Sequence, residues 1–412
     1  MEGINEISLN SEQPLKGKKI LLGVCGSIAA YKSVFLLRLL MNKGAEVHVI
    51  MTPNAEKFVT SLTFSTLSQN PVFVHLWHET TGNQDWSKHV QIAQNADLIV
   101  IAPATMNTIA KLALGLCDDA LTATVFSASC PILIAPAMDR EMYASPQNQK
   151  NLSTLHELGY HILPTNNGFL ASGLKGEGRM LEPEEILENI LFHLTPKILH
   201  QKKILINVGP TQEAIDPVRF ISNHSSGKMG IAIAQWAYRM GAQVTVVAGP
   251  VHVPIPMYLN TLHVKNALEM YELMKKIWSD YDFLIATAAV ADFRPSHISH
   301  QKIKKIDNLN TLTLKLTKNP DILFELSKQK KNHQKVIGFA LETQNALENA
   351  KNKLLKKQLD WIVLNTMEEK NSTFGYDTNK VWFISKNKTI ETHLLHKEQI
   401  AIELLFLLVK EL

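Results

Sequence analysis

Small and hydroxyl-bearing residues follow two short apolar runs in the first half of the chain, where helices should begin. Backbone N–H groups and hydroxyls at the start of a helix are suited to bind a phosphate. The residues are Gly26, Ser27, Thr105, Asn107 and Thr108. The first segment is not a GxGxxG dinucleotide motif, because Ala29 and Tyr31 occupy positions that would need glycine. Taken alone, a glycine required only for a tight turn explains this segment equally well.

Two further features of the first half could act on a substrate. The glycine-rich stretch 171–180 contains Arg179 near its end, which predicts a mobile lid over an anionic substrate. His89 lies just before the third apolar run. A single histidine is more often structural than catalytic, so this residue alone predicts little.

A long polar segment in the second half, residues 209–230, follows another apolar run. It is not a P-loop, since Met229 stands where a magnesium-binding Ser or Thr would be required. Ser225, Ser226 and Gly227 could instead present backbone donors to an anion. Farther along, small residues followed by an acid (AAVAD, 288–292) leave room for a nucleotide at a strand end.

The elements that must position these residues repeat once along the chain. The echoing runs are 18–24 with 202–208, 43–53 with 240–250, and 96–103 with 281–288. Such continuous apolar runs are typical of strands buried in a parallel sheet, and helical patterns separate them. We therefore predict an α/β protein of two doubly wound domains, at 17–197 and 198–412. The second half carries additional residues after its first strand, where ligands bind in such sheets.

Composition excludes several classes of protein. A chain of 412 residues is too long for one ordinary core, and 45% hydrophobic with 19% charged residues excludes general disorder. The net charge of +4, from 42 basic and 38 acidic residues, is too slight to indicate nucleic-acid binding. The three cysteines show no CxxC spacing, and no run is long enough to span a membrane. We expect a soluble cytoplasmic protein.

The motifs of the first half, in this order, resemble the flavin-containing cysteine decarboxylases. They are GSIAAYK, the His89 segment, APATMNT, PAMDREMY and SGLKGEGRM. The resemblance implies that FMN oxidises the cysteine thiol, that CO2 is then lost, and that the product is reduced by the same flavin. It also implies that His89 assists the oxidation. The implied FMN-binding residues are Gly26, Ser27, Thr52, Thr105, Asn107 and Thr108.

Two positions depart from this family's pattern. Asp139 replaces an Asn that grips the substrate carboxylate, and two facing carboxylates repel each other. Ser172 replaces a lid Cys that donates the final proton, and a hydroxyl is the poorer acid. Either water, Cys117 or Cys130 donates the proton, or the reaction stops at an earlier intermediate. We expect complete decarboxylation, because Arg179 and the flavin segments remain.

The motifs of the second half resemble phosphopantothenate–cysteine ligase, and the two halves together resemble the fused bacterial family of coenzyme A biosynthesis. The motifs are DPVRFISNHSSGKMG, AAVADFRP, KIKK, KNPDIL and IGFALET. The resemblance implies ligation of cysteine to 4′-phosphopantothenate through an acyl-cytidylate formed from CTP, with Mg²⁺. Asn223 would favour the acyl-cytidylate, and Lys302 would serve the reaction with cysteine. The implied substrate contacts are Ala289, Asp292, Asn319, Pro320, Asp321, Ile322, Phe339, Lys353 and Lys357.

Two less specific interpretations remain. Without the resemblance, Lys353 and Lys357 would be a solvated helix face, and Phe339 would be a core residue. The alternative function is an active ligase whose FMN-binding first domain is only structural or regulatory. An electron carrier fused to a nucleotide-binding domain would leave Asn223 and Lys302 unexplained.

The resemblance also implies a homo-oligomer, with decarboxylase trimers linked by ligase dimers.

Overall fold

The computed structural model describes residues 9–76, 87–304, 311–342, 344–366 and 376–410. The chain divides into two compact units, Met1–Thr195 and Pro196–Leu412. No helix in these described stretches is long and apolar enough to cross a membrane.

The first unit is built on a parallel β-sheet. Its strands are β1 (Lys19–Val24), β2 (Glu46–Met51), β3 (Leu98–Ala104), β4 (Ile132–Pro136) and β5 (His161–Ile162). They lie in the order β2-β1-β3-β4-β5, and every neighbouring pair is parallel. In this flavodoxin-like order the direction of winding reverses between β1 and β3. A ligand is expected at the carboxyl ends of those two strands.

Helices cover both faces of this sheet. They are α1 (Ala30–Asn42), α2 (Ser61–Ser68), α3 (Lys88–Gln94), α4 (Met106–Leu114), α5 (Ala120–Phe126), α6 (Arg140–Ala144), α7 (Pro146–Glu157) and α8 (Pro183–Leu194). Alternate residues of β1 enter opposite cores: Ile20 and Leu22 pack with α1 and α8, and Leu21 packs with α4 and α7. An antiparallel hairpin, β6 (Asn166–Phe169) and β7 (Lys175–Arg179), follows β5.

The second unit has a larger sheet that is also mainly parallel. Its strands are β8 (Lys203–Val208), β11 (Gln243–Ala248), β12 (Asn260–His263), β13 (Phe283–Ala286), β16 (Lys335–Glu342), β17 (Trp361–Thr366), β19 (Val381–Ile384) and β20 (Thr389–Glu391). They lie in the order β12-β11-β8-β13-β16-β17-β19-β20. The first six are parallel in the Rossmann order, and β19 and β20 continue the sheet antiparallel.

Short strands and helices complete the second unit. The strands are β9 (Gln212–Ala214), β10 (Phe220–Ser222), β14 (Phe293–Pro295), β15 (Leu316–Lys318), β18 (Thr378–Asn379) and β21 (Leu395–His396). The helices are α9 (Lys228–Arg239), α10 (Ala267–Ile277), α11 (Ile322–Ser327), α12 (Ala346–Lys356) and α13 (Lys397–Lys410). Helix α9 packs against α13 on one face of the sheet, and α10 and α12 contribute to the core on the other face.

The predicted fold class, two doubly wound α/β domains, is confirmed. The sequence echo has a structural counterpart, because β1, β2 and β3 pair with one another as β8, β11 and β13 do. The additional residues after β8 form the β9–β10 hairpin. The antiparallel edge strands β19 and β20 were not predicted, since their short runs have no echo in the first half.

Candidate active sites

A cavity of about 720 Å³ opens at the carboxyl ends of β1 and β3 in the first unit. It therefore lies at the reversal point of the strand order. All six residues that the sequence predicted to bind a cofactor line it: Gly26, Ser27, Thr52, Thr105, Asn107 and Thr108. Asn54, Lys111, Asp118 and Met142 are further lining residues.

The turn between β1 and α1 brings the main chain close to the wall of this cavity. Gly26 is required there, because a methyl group on it would lie 2.7 Å from Cβ of Asn54. The Ser27 hydroxyl accepts a hydrogen bond from the Ala29 N–H at 3.2 Å, and the Ser27 N–H donates to the Cys25 carbonyl at 2.9 Å. These bonds hold the turn and place the uncharged Ser27 hydroxyl at the cavity.

The start of α4 forms the opposite wall. Thr105 is its N-cap residue, and the Thr105 Oγ1 accepts from the Thr108 N–H. The Thr108 Oγ1 lies 3.2 Å from the Sγ of Cys25, which is fully buried beneath the cavity. Burial raises the pKa of this thiol to about 11, so it is protonated at neutral pH.

The one lysine in the described lining of this cavity is held by carboxylates. Lys111 Nζ lies 2.7 Å from Asp118 and 3.0 Å from Asp119. Partial burial opposes the charged form of Lys111, but the hydrogen bonds to both carboxylates prevail and raise its pKa. Because no cation of the described lining is unpaired, the hydroxyls and backbone N–H groups are its main donors to a ligand.

A second cavity of about 530 Å³ adjoins the first, and Ser27, Ala137 and Met138 line both. Asp139 and Arg179 line only the second. The predicted lid, 171–180, lies mainly in the tip and second strand of the β6–β7 hairpin. The Gly178 carbonyl accepts a hydrogen bond from the Met138 N–H at 3.0 Å, which fixes the base of the lid to the loop after β4.

A buried lysine holds the end of this lid. Lys32 Nζ donates to the Met180 carbonyl at 3.0 Å and to Glu182 Oε1 at 2.9 Å, and Lys32 is only 4% exposed. The same Glu182 oxygen accepts from Arg179 Nη2 at 2.8 Å. The predicted lid arginine is therefore held at the cavity margin by a carboxylate that it shares with Lys32.

The two residues that depart from the decarboxylase pattern lie near each other. The Ser172 hydroxyl is the largest of the causes that hold the pKa of Asp139 below its usual value. The Arg140 N–H donates a hydrogen bond to the same carboxylate at 2.7 Å and also lowers this pKa. Asp139 is therefore ionised at neutral pH.

His89 and Cys130 do not lie in these cavities. His89 is half-buried on α3, which packs against α5, and it is not among the residues lining either cavity. Cys130 precedes β4 and thus lies at the amino end of the strands, opposite the cavities. The geometry argues against Cys130 as the proton donor. Cys117 is exposed beside Asp118, a cavity residue.

The second unit has its own group of predicted residues at the carboxyl ends of β8 and β13. Asn223, just after β10, donates from Nδ2 to the Ala289 carbonyl at 2.9 Å. Ala289 and Phe339 line a cavity of about 200 Å³ with the Ser225–Gly227 turn that precedes α9. The buried Oδ1 of Asn365, on the same lining, has no hydrogen-bond partner among the residues that the structure describes.

A neighbouring cluster joins the other predicted nucleotide contacts. The Asn319 N–H donates to the Asp292 carbonyl at 2.8 Å, and Asn319 Nδ2 donates to the Ala291 carbonyl at 2.8 Å. Pro320 separates this Asn from Asp321, the N-cap of α11, which begins at Ile322. Lys357 Nζ lies 2.9 Å from Asp321. The cluster thus links β13, α11 and the end of α12.

The remaining predicted lysines lie away from that cavity. Lys353, on α12, is paired with Glu342, so it and Lys357, which follows α12, both have carboxylate partners. Lys302 is exposed on the segment between β14 and β15 and does not line the cavity. Lys305, the last lysine of the same motif, lies outside the described residues.

Sequence reasoning missed several cavity residues. Asn54 follows β2 and Asp118 precedes α5, and both reach the cavity because parallel strands end at one edge of the sheet. That edge rule would have found Asn54. Lys397 is buried at the start of α13 and lines the second unit's cavity, but distance along the chain concealed it.

Comparisons with known proteins agree with both halves of the sequence interpretation. The Flavoprotein family model matches residues 8–195, and the DNA/pantothenate metabolism flavoprotein C-terminal domain model matches residues 199–412. The coenzyme A biosynthesis bifunctional protein CoaBC of Borreliella burgdorferi is 42% identical over 95% of this chain and 99% of its own length. That of Bacillus subtilis is 42% identical, with 95% and 96% covered.

A solved structure, the C-terminal domain of a CoaBC protein, is 39% identical to this chain. It aligns with a TM-score of 0.45, covering 52% of this chain and 97% of its own. Identity above 40% extends along nearly the whole length of the two bacterial relatives and therefore includes both units. The chain belongs to the family of bifunctional coenzyme A biosynthesis proteins.

Proposed function

We propose that this enzyme joins cysteine to 4′-phosphopantothenate and then decarboxylates 4′-phosphopantothenoylcysteine to 4′-phosphopantetheine, with one activity in each unit. The observation that carries the proposal is the pair of adjoining cavities in the first unit. One is lined by all six predicted FMN-binding residues, and the next by Asp139 and Arg179. A purely structural first domain would not need a second cavity beside its cofactor.

The residues of the first cavity fit FMN. The Ser27, Thr105 and Thr108 hydroxyls and the N–H groups at the starts of α1 and α4 suit its phosphate. Gly26 lets the turn after β1 pack against Asn54, which keeps both residues in the wall of the cavity. FMN, when bound, supplies a two-electron acceptor and donor for the cysteine thiol.

The chain's own residues position the substrate. Arg179 faces the cavity from the lid and would attract an anionic group of phosphopantothenoylcysteine. The lid hairpin limits the access of water to the reacting cysteine. His89 remains the proposed proton acceptor. Since it does not line the cavities of its own chain, it would act at the cavity of a neighbouring subunit.

A homo-oligomer would supply that neighbour. Ile28, Tyr31 and Phe35 lie on successive turns at and just before α1, next to the second cavity, and each is at least half exposed. An apolar stripe at such a position favours contact with another subunit. We propose the trimer of first units linked by dimers of second units, in the cytoplasm.

In the second unit, a carboxylate must be activated before an amine can attack it. CTP is the proposed activating substrate, and the acyl-cytidylate is the proposed intermediate. Asn223, held on the Ala289 carbonyl, lies at the strand ends where that intermediate would form. The turn 225–227 offers backbone donors to its phosphate. Lys302 then assists the attack of cysteine.

Mg²⁺ is proposed as the counter-ion of the CTP triphosphate. This ion usually keeps several waters and binds through substrate phosphates with one or two carboxylates. Asp292 and Asp321 are the carboxylates among the predicted substrate contacts, and they are the candidates for this role. In the described residues there is no group of three or more His, Cys, Asp or Glu side chains suited to hold a metal alone.

The test uses the purified chain with phosphopantothenoylcysteine alone, so that only the first unit acts. We expect flavin absorbance and release of CO2. Gly26→Ala should lose both, because its methyl group would strike Asn54, while ligation with CTP continues. A yellow parent protein that ligates and releases no CO2 would instead support a structural or regulatory first domain.

A further inference from the structure

A buried carboxylate lies beside the segment that carries Lys302. The side chain of Asp216, between β9 and β10, is fully shielded from solvent. It accepts hydrogen bonds from the N–H groups of Val218 and Arg219, both at 2.8 Å. It also accepts from Nε of Arg219 at 3.0 Å. These bonds fix the turn and the arginine around one buried negative charge.

The same pair holds both backbone polar groups of Ile303, the residue after Lys302. The Ile303 N–H donates to Asp216 Oδ2 at 3.1 Å. The Ile303 carbonyl accepts from Arg219 Nη2 at 2.9 Å. Asp216 and Arg219 therefore satisfy both the N–H and the carbonyl of Ile303.

A second contact restrains the same segment. The Ser299 N–H donates to the Ile215 carbonyl at 3.0 Å. Between Ser299 and Ile303 the segment is thus attached at two points to the turn 215–219. Lys302 is exposed but lies within this attached stretch.

Asp216 stays ionised, so its hydrogen bonds to the segment 299–303 persist. The hydrogen bond from Arg219 is the largest cause that holds the pKa of Asp216 far below its usual range, and the N–H donors add to it. Replacing the buried carboxylate removes the charged acceptor that the N–H groups of Val218, Arg219 and Ile303 share with the half-exposed Arg219 guanidinium. The attachment would therefore be lost as a unit when the carboxylate is replaced.

We propose that Asp216 is a positioning residue for Lys302 in the ligase reaction. This rests on the proposed function, in which Lys302 serves the attack of cysteine on the acyl-cytidylate. A lysine side chain has many rotamers, and fixing its backbone removes part of the entropy that correct placement costs. Asp216 touches no reacting atom, and it acts only through Arg219 and Ile303.

The experiment measures the two half-reactions separately in the full chain. In Asp216→Asn, the rate of acyl-cytidylate formation should stay within a few-fold of the parent's rate. This rate is measured by the release of pyrophosphate. Condensation with cysteine should slow on the order of 10²-fold, as for a misplaced catalytic group. The intermediate should accumulate and be detectable by mass spectrometry. Asp360→Asn is the matched control, since Asp360 also pairs with a lysine (Lys330, 2.8 Å) away from this segment.

A double-mutant cycle separates positioning from general support of the fold. Adding Asp216→Asn to Lys302→Gln should cause no further loss of condensation, because the lysine it positions is absent. Arg219→Lys, which keeps the charge and loses the fork to Ile303, should show the same accumulation of intermediate. It also serves as the test if Asp216→Asn fails to fold.

Three results would overturn the proposal. Equal slowing of both half-reactions in a variant with unchanged melting temperature indicates a general structural role. Full additivity with Lys302→Gln indicates that Asp216 acts independently of the lysine. A parent chain that forms no amide at all rejects the proposed ligase function itself, and is distinguished because the other two results require an active parent.

Discussion

The two units share a winding pattern but offer different sites at equivalent strand ends. The first has a cavity of about 720 Å³ whose lining is mainly neutral, with its one lysine, Lys111, already held by two carboxylates. The second has a cavity of about 200 Å³ that is lined by Lys228, which pairs with Asp377, and by the buried Lys397. Lys353 and Lys357 are paired with carboxylates away from it. The difference agrees with the proposal that the first site holds a cofactor and that the second takes a nucleotide that enters and leaves.

We propose that the lysines of the second unit stay in ion pairs until the polyphosphate of CTP binds. Lys353 is paired with Glu342, Lys357 with Asp321, and Lys228 with Asp377 at 2.7 Å. Each pair is partly exposed, so each contributes little to stability and can exchange one anion for another. The first unit needs no such exchange, because hydroxyls and backbone donors are already directed at the cavity.

The largest expected effect is a loss of activity that is confined to one unit. His89→Asn should lower decarboxylation on the order of 10²–10⁴-fold, as for loss of a general base, and leave ligation unchanged. His156→Asn, on the exposed part of α7, is the matched control. Separate assays of CO2 release and amide formation decide the matter. Loss of ligation in a folded His89 variant would refute the separation of activities.

The burial of the Cys25 thiol beneath the first cavity can be tested by the pH dependence of stability. Because burial raises the pKa of Cys25 to about 11 from 9.0, the folded state keeps its proton when the unfolded state has lost it. This contribution to the free energy of unfolding is complete below pH 9 and is lost between pH 9 and 11, on the order of 3 kcal/mol in total. Cys25→Ala should flatten that decline.

Urea unfolding followed by flavin fluorescence at several pH values measures the decline in the first unit. Cys117→Ala is the control, because Cys117 is exposed. An equally steep decline in the Cys25 variant would show that the thiol is not the group responsible.

The influence of Ser172 on the pKa of Asp139 predicts a smaller effect at the lid. Ser172→Ala should leave the decarboxylation rate within a few-fold of the parent, since a hydroxyl is a poor acid. It should also raise the pKa of Asp139 toward its ordinary value, because Ser172 is the largest cause of the lowering. Asp139→Asn should retain FMN, and the double variant should be less than additive because the two groups interact electrostatically.

Single-turnover rates of CO2 release for the two single variants and the double variant provide that test. A loss on the order of 10²-fold or more in Ser172→Ala would identify the serine as the proton donor. Full additivity would mean that the two positions act separately.

The smallest effect concerns the ion-paired lysines of the second unit. Glu342→Gln frees Lys353 and should lower KM for CTP by about two- to five-fold at low salt, the usual worth of an exposed ion pair. The gain should disappear as salt screens the charges. Asp360→Asn is the control, because Lys330 lies at the other end of the strands. A raised KM would mean that Glu342 itself contributes to nucleotide binding.

The sequence predicted the elements of the fold well because buried parallel strands have a strong signal. The echo of 18–24 in 202–208 identified β1 and β8, and the six FMN positions lie together because they follow strands that end at one edge. The family assignment and the fold class are confirmed. The roles of the individual site residues stay predictions.

Contacts between distant segments could not be predicted from the sequence. Asp216 and Ile303 are far apart along the chain, and no local pattern pairs them. The proximity of Ser172 to Asp139 could not be predicted either. It depends on how the β6–β7 hairpin docks on the loop after β4, which no local periodicity specifies.

The most direct test of two complementary sites on one chain is a count of products. The parent protein is supplied with 4′-phosphopantothenate, cysteine and CTP, and released CMP and CO2 are measured in the same sample. The account predicts one CO2 for each CMP once the intermediate reaches steady state. CMP formed with amide product and without CO2 would contradict it, and would leave the first unit as a flavin-binding domain without a reaction of its own.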